Sequence, residues 1–257
     1  MVHVIKIGGN IIDDAIKLDD FLNRFAKLDG PKILIHGGGK LATNLAKELN
    51  IEQQIIDGRR VTDAETLKIT AMVYAGLVNK TIVAKLQSKS SNAIGLSGVD
   101  GNIIQSVKRN HPTIDYGWVG DVESVNADFL QSLIDNGIVP VISPITHDGK
   151  GNLLNTNADT IATEVAMALS ETNDVNLRFC FEKLGVLTNP ELDGSWLRIL
   201  DKNEYEWLKD QQIISKGMLP KLENAFRASE SKVTKVEICH ADYATEQGES
   251  FIGTQII

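Results

Sequence analysis

Two short β-branched runs that each end in glycine constrain this chain more than any other feature. Val4-Ile5-Lys6-Ile7 runs into Gly8-Gly9-Asn10, and Lys32-Ile33-Leu34-Ile35 runs through His36 into Gly37-Gly38-Gly39-Lys40. Each is followed by an amphipathic stretch, the first at 14–27 and the second reaching about Leu49. Strand, glycine turn and helix, repeated in that order, open a mostly parallel sheet covered by helices on both faces. The alternation continues with a long helical pattern at 63–87, where Leu67, Ala71, Tyr74 and Val78 are spaced for one face. Further strands are expected at 93–96, 138–143, 177–181 and 233–239, with helices at 159–169 and 216–228. Residues 97–120 break the rhythm. With Asp100-Gly101-Asn102 in their middle they read as short strands and turns, so a β-hairpin insertion is expected in the N-terminal half. The fold class is therefore α/β, a three-layer αβα sandwich around a mostly parallel sheet. At 257 residues the chain suits one two-lobed domain, 1–257. The softest division is the glycine-rich turn at 148–152, giving lobes 1–152 and 153–257.

Charge and cysteine usage exclude several classes. A formal net charge of −8 lacks the basic stripe of a general nucleic-acid binder, while a locally positive pocket remains possible inside an acidic shell. Cys180 and Cys239 lie in apolar runs without CxxC or CxxH spacing, so neither a disulfide framework nor a structural zinc site is expected. No signal-peptide pattern opens the chain, and no apolar stretch approaches the ~20 residues of a membrane span. The chain reads as cytoplasmic, with no membrane or nucleic-acid partner.

Five polar constellations can carry chemistry. Lys6-Ile7-Gly8-Gly9 places an ammonium beside backbone N–H groups that approach an anion closely; a plain βα turn with a surface lysine fits the same residues. His36-Gly37-Gly38-Gly39-Lys40 is neither a Walker A loop nor GxGxxG, and three glycines in a row favour a backbone that hugs a ligand. In Gly58-Arg59-Arg60-Val61-Thr62-Asp63 an arginine can grip a carboxylate with paired N–H bonds, and Thr62 or Asp63 can cap the helix that follows. Asn155-Thr156-Asn157-Ala158-Asp159 sets two amides and a carboxylate at a strand-to-helix junction, where Asn157 or Asp159 can also act as a cap. In Gly217-Met218-Leu219-Pro220-Lys221 a lysine at a helix start opposes the macrodipole unless an anion sits beside it.

Taken in order and nearly the full chain apart, KxGG, HGGG, GxRVT, NxNAD and GMxxK resemble the amino-acid kinase superfamily and, within it, the N-acetylglutamate kinases. The likeness runs from Val4 to Gly253-Thr254 and includes 95–101 and 117–122. It implies transfer of the γ-phosphoryl group of ATP to the γ-carboxylate of N-acetyl-L-glutamate, in arginine biosynthesis, with Mg²⁺ carried mainly on the ATP phosphates. Lys6 and Lys221 correspond to lysines that stabilise the moving phosphoryl group, and Asp159 to the carboxylate that holds them. Gly38, Gly39, Arg60 and Asn155 correspond to acylglutamate contacts, with lobe 1–152 taking that substrate and forming a homodimer. Gly9, Asn157, Glu182, Gly185, Leu187, Ile213 and Ser215 correspond to nucleotide contacts, with lobe 153–257 taking ATP. No metal ligand from the protein is implied.

Two departures bear on those expectations. Relatives carry Asp-Val-x-Gly where this chain has Glu182-Lys183-Leu184-Gly185. The chain also opens directly on its first strand, without the N-terminal helix of arginine-inhibited relatives, so no arginine feedback and no hexamer are expected. Arg59 beside Arg60 keeps a second substrate open, an acylglutamate with a charged acyl group such as N-succinylglutamate. A non-catalytic regulatory relative is the reading of another class, resting on Glu182-Lys183. A Rossmann dehydrogenase fails for want of GxGxxG after the first strand.

Overall fold

β1 (Val2–Ile7) lies inside an eight-stranded sheet. The computed structural model describes every residue except 57–58, 190 and 215–217, together with the side chain of Glu249. On one flank β1 pairs in parallel with β2 (Lys32–His36), which leads through β8 (Val139–Ser143) to β5 (Ala93–Ser97). On the other flank it pairs in parallel with β11 (Val175–Phe181), followed by β13 (Lys235–His240). β14 (Gly253–Ile256) then runs antiparallel to β13, and β12 (Ile199–Leu200) closes that edge parallel to β14. The chain moves from β1 to β2 on one side and returns to β11 on the other, so a crevice opens at the carboxyl end of β1, where open α/β sheets bind ligands.

β1 is buried along its whole length because both sheet faces are covered. Val2 and Val4 point into one core with Ile33, Ile35, Leu177 and Phe179. That core is roofed by α6 (Ala127–Asp135), α7 (Ala158–Leu169), α8 (Lys202–Asp210) and α9 (Leu219–Ser229). Ile5 and Ile7 point into the other core with Leu34, under α2 (Ala15–Lys27) and α3 (Gly39–Glu48). The period-two alternation of strand side chains thus sends Lys6 toward α7 and α9, and His36 toward the opposite helices. The three layers and mostly parallel sheet agree with the sequence reading.

Polar caps set the helix starts. Asp14, Asp63, Asn126, Asn157 and Asp201 each accept backbone N–H bonds at the head of α2, α4 (Ala64–Ala71), α6, α7 and α8. The one-turn α1 (Gly9–Ile12) follows the first glycine turn. α9 begins at Leu219 rather than at the expected 216, with Pro220 in its first turn, where a missing N–H is harmless.

Three features were not expected as drawn, and a fourth, the long helix expected at 63–87, differs in its interior. β6 (Ile104–Lys108) and β7 (Gly120–Val125) pair antiparallel, but as members of a four-stranded sheet with β9 (Ile145–His147) and β10 (Leu153–Asn155). Residues 148–152 form the turn between β9 and β10, which pair antiparallel. β3 (Ile55–Ile56) and β4 (Arg59–Arg60) make a small ladder that presents the arginine pair.

The fourth is the long helix. α4 runs through a π-helical turn, Met72–Val78, into α5 (Asn79–Gln87). The resulting helix, Ala64–Gln87, spans 24 residues and is by length and composition able to cross a membrane, where the sequence reading found no such stretch. Its longest unbroken apolar run is 71–78, and Ile69, Val73, Tyr74, Val78, Ile82 and Leu86 are buried inside the fold. Cys180 and Cys239 are free and buried on neighbouring strands, with sulfurs 3.9 Å apart.

Candidate active site

Lys6, Asp159 and Lys221 meet at the carboxyl end of β1. Lys6 comes from the strand, Asp159 from the first turn of α7, and Lys221 from the first turn of α9. The two ammonium nitrogens reach the same oxygen, Asp159 Oδ1, at 2.8 Å and 3.1 Å. All three side chains are nearly closed off from solvent, at 9%, 15% and 11% exposure. Lys221 Nζ also stands 5.7 Å from the centre of the Phe179 ring. Burial alone would raise the Asp159 carboxyl, but the Lys221 and Lys6 charges outweigh it and hold it well below the usual carboxylate range. Burial lowers the Lys221 ammonium, with Lys6 pushing the same way and Asp159 opposing both. Two cations on one anion leave a net positive charge in a low-dielectric cleft, an electrostatic trap for an anion.

Beside the triad lies a cavity of about 520 Å³ bordered by Gly38, Gly39, Arg60, Asn155 and Asn157. Arg60 is held by neutral acceptors: its guanidinium donates to the Gln53 side-chain oxygen, to Gly39 O at 2.9 Å and to Thr43 Oγ1 at 2.9 Å. Among the described residues no carboxylate pairs with it, so its charge is available to a ligand. Asn155 donates to Thr62 Oγ1 at 3.0 Å, and Thr62 in turn donates to Arg60 O at 3.1 Å. That chain ties the arginine motif to the asparagine motif across 93 positions of sequence. Gly117, at φ +70, makes the junction possible, because a Cβ there would lie 2.2 Å from Thr62 O.

The glycine loop is set from behind. His36 Nδ1 donates to Gly37 O at 2.8 Å, and its Nε2 accepts from Asn79 Nδ2 at 3.1 Å. Asn79 also donates to Val141 O at 2.9 Å. Burial pushes the His36 imidazole down to about 4, against the opposing Gly37 bond, so it is neutral in neutral solution with its proton on Nδ1.

A separate apolar cleft is walled by Gly185, Leu187 and Ile213, with Phe181, Val186 and Met218. Gly185 packs so closely on Thr254 that a Cβ would come within 2.4 Å of its hydroxyl. Glu182 lines a neighbouring opening with Asn10 and Lys40. Lys183 also lines the apolar cleft, with its ammonium paired to Asp193 at 2.6 Å. Ser215, with Gly58 and Gly217 of the motifs, lies outside the described residues. Gly9 opens α1, its N-cap Gly8 preceding it, and Asn157 accepts from the N–H groups of Asp159 and Thr160 at 2.8 Å and 3.1 Å.

Sequence reasoning missed the residues that brace this site. Thr43 and Gln53 were silent because a helical threonine and a loop glutamine carry no pattern. Tyr74 was read only as part of a helix face, yet it borders the cavity, as do Arg59 and Arg109. Among the described residues the Asp13 carboxylate, 10% exposed, has no hydrogen-bond partner, and Lys40 Nζ stands 4.0 Å away. Its burial raises the carboxyl and Lys40 opposes the rise.

Residues 1–240 match the family model described as the amino acid kinase family. The chain is 53% identical over 243 residues to the acetylglutamate kinase of Phocaeicola vulgatus, covering 95% of each. It is 51% identical over 259 residues to that of Cytophaga hutchinsonii, covering 100% of this chain and 98% of the relative. A Streptococcus mutans protein of solved structure superposes with a TM-score of 0.79 at 25% identity, over 99% of this chain and 98% of its own. With the triad, the glycine loop and near-full-length identity of about one residue in two, the chain belongs to the amino acid kinase family, among its acetylglutamate kinases.

Proposed function

We propose that the chain transfers the γ-phosphoryl group of ATP to the side-chain carboxylate of N-acetyl-L-glutamate, forming N-acetylglutamyl 5-phosphate in arginine biosynthesis. The observation that carries this reading is the convergence of Lys6 and Lys221 on one oxygen of Asp159. A γ-carboxylate with a reference pKa of ~4.3 is already an anion at neutral pH and needs no base. What opposes reaction is bringing that anion up to an anionic triphosphate, so catalysis is alignment plus charge neutralisation. Lys6 and Lys221 neutralise the phosphoryl group in flight, and Asp159 keeps both ammoniums aimed. Arg60 takes the α-carboxylate, Asn155 with Gly38 and Gly39 orients the rest of the acylglutamate, and Gly9 and Asn157 face the phosphates.

The apolar cleft at Gly185, Leu187 and Ile213 suits a flat nucleobase, with Glu182 and Ser215 completing the nucleotide contacts. Mg²⁺ would arrive on the ATP phosphates and supply further positive charge there. Lobe 1–152 takes the acylglutamate and lobe 153–257 the nucleotide. The enzyme works as a cytoplasmic homodimer.

A second substrate has one specific observation in its favour. Arg59 borders the same cavity as Arg60, so an extra carboxylate on the acyl group, as in N-succinylglutamate, would meet an additional cation; Arg109 borders it too, already paired with Asp121. The experiment is ADP formation on N-acetyl-L-glutamate, N-succinyl-L-glutamate and L-aspartate side by side, with the acyl phosphate trapped by hydroxylamine. Turnover on N-acetylglutamate and none on aspartate is expected. Turnover on the succinyl compound alone would move the assignment to it, and silence on all three would reject the reaction.

A further inference from the structure

The π-helical turn in the long helix has no part in the reading above, and it lies against the substrate cavity. A π turn takes up an extra residue and shifts which side chains face the core. Here it covers Met72–Val78 and leaves Tyr74, at 5% exposure, wedged against the glycine loop. Gly38 adopts φ +153, and a Cβ on it would come within 2.9 Å of Tyr74 Cδ1. A side chain at position 38 would thus collide with the ring.

The hydroxyl end points elsewhere. A Cβ built on Gly39 would lie 3.7 Å from an Arg60 guanidinium nitrogen and 3.9 Å from Tyr74 Oη. The two polar ends therefore converge over one glycine, at the border of the same cavity. Arg60 already spends N–H groups on Gln53, Gly39 and Thr43. A neutral donor next to it adds a second hydrogen bond to any anion the guanidinium attracts.

We propose that Tyr74 is a substrate-contacting residue whose hydroxyl donates to the carboxylate held by Arg60, making it a determinant of acylglutamate affinity. This rests on the acylglutamate reading and deepens it. Burial raises the Tyr74 phenol and the Arg60 charge opposes the rise, so the hydroxyl keeps its proton at neutral pH and remains a donor.

The test is Tyr74→Phe, which leaves the ring against Gly38 and removes the hydroxyl alone. Calorimetric titration of the full chain with N-acetyl-L-glutamate should show affinity about ten- to a hundredfold weaker, the scale of a lost hydrogen bond to a charged group. KM for the acylglutamate should rise by a similar factor, with kcat, KM for ATP and the melting temperature unchanged. An acylglutamate affinity equal to wild type would overturn the proposal. So would a loss shared equally by ATP affinity and melting temperature, which marks a packing role. Wild-type protein that binds acylglutamate without phosphorylating it would reject the catalytic reading and still let the titration judge Tyr74.

Discussion

Lys6 and Lys221 share a single oxygen of Asp159, and the balance of those three charges sets what the cleft can do. Replacing Asp159 with Asn leaves two ammoniums facing each other with no counter-charge in a nearly dry site. Loss of one partner from a buried charge network destabilises by roughly 3–5 kcal/mol, and misdirected lysines should lower kcat by about 10²–10³, the scale of a lost transition-state donor. Steady-state kinetics with denaturant unfolding checks both; an Asp159→Asn variant of normal kcat would remove the triad from the mechanism. His36 makes a pH prediction of definite sign. Its folded value is about 4 against 6.5 for the free group, so the unfolded chain takes the proton first as pH falls. The stability contribution is complete above pH 6.5 and is lost as pH drops through 4, by roughly 3 kcal/mol at most. His3, pushed down to about 4 by burial and then by Arg178, adds in the same direction. Unfolding free energy measured from pH 7 to 4 should fall less steeply in His36→Asn, and an unchanged slope would contradict the assignment.

Among the elements, α7 carries both architecture and chemistry. Asn157 caps it through two backbone N–H bonds, and Asp159 sits two residues later, where the macrodipole favours an anion. Asn157→Ala should lower stability by about 1 kcal/mol through loss of the cap. Asn157→Asp keeps an acceptor for the same N–H groups, so stability should return while a carboxylate now faces the proposed phosphate position. KM for ATP should rise severalfold in the Asp variant alone. Equal ATP affinity in both variants would confine Asn157 to capping. The long helix makes the complementary point, since its π turn decides which of its residues reaches the glycine loop.

Taken as a whole molecule, the long helix also presents an apolar outer face, with Met72 56% and Leu77 61% exposed. The proposed homodimer would cover these side chains. Light scattering on the wild-type chain should return twice the chain mass, and Met72→Glu combined with Leu77→Glu should return the monomer. A dimer that survives both charges would place the interface elsewhere.

Much of this was legible one segment at a time. Val4-Ile5-Lys6-Ile7 had to be a strand buried on both faces, and the glycines after it had to be a turn. Asp63 and Asn157 announced helix starts because their side chains satisfy backbone donors only a few residues on. That Lys6, Arg60, Asn155, Asp159 and Lys221 belong to one constellation was an expectation from the resemblance to a known family, carried by the motifs in which they stand. Their meeting was not legible, because nothing local says that Lys6 and Lys221 reach one oxygen of Asp159, or that Asn155 reaches Thr62. The braces around Arg60 were invisible for the same reason: Thr43, Gln53 and Tyr74 have meaning only through partners far along the chain. Local sequence determined elements, caps and turns, since hydrogen bonding and side-chain periodicity act within a few residues. Which side chains share a cavity was decided by sheet order and helix packing, through burial that only the assembled layers provide.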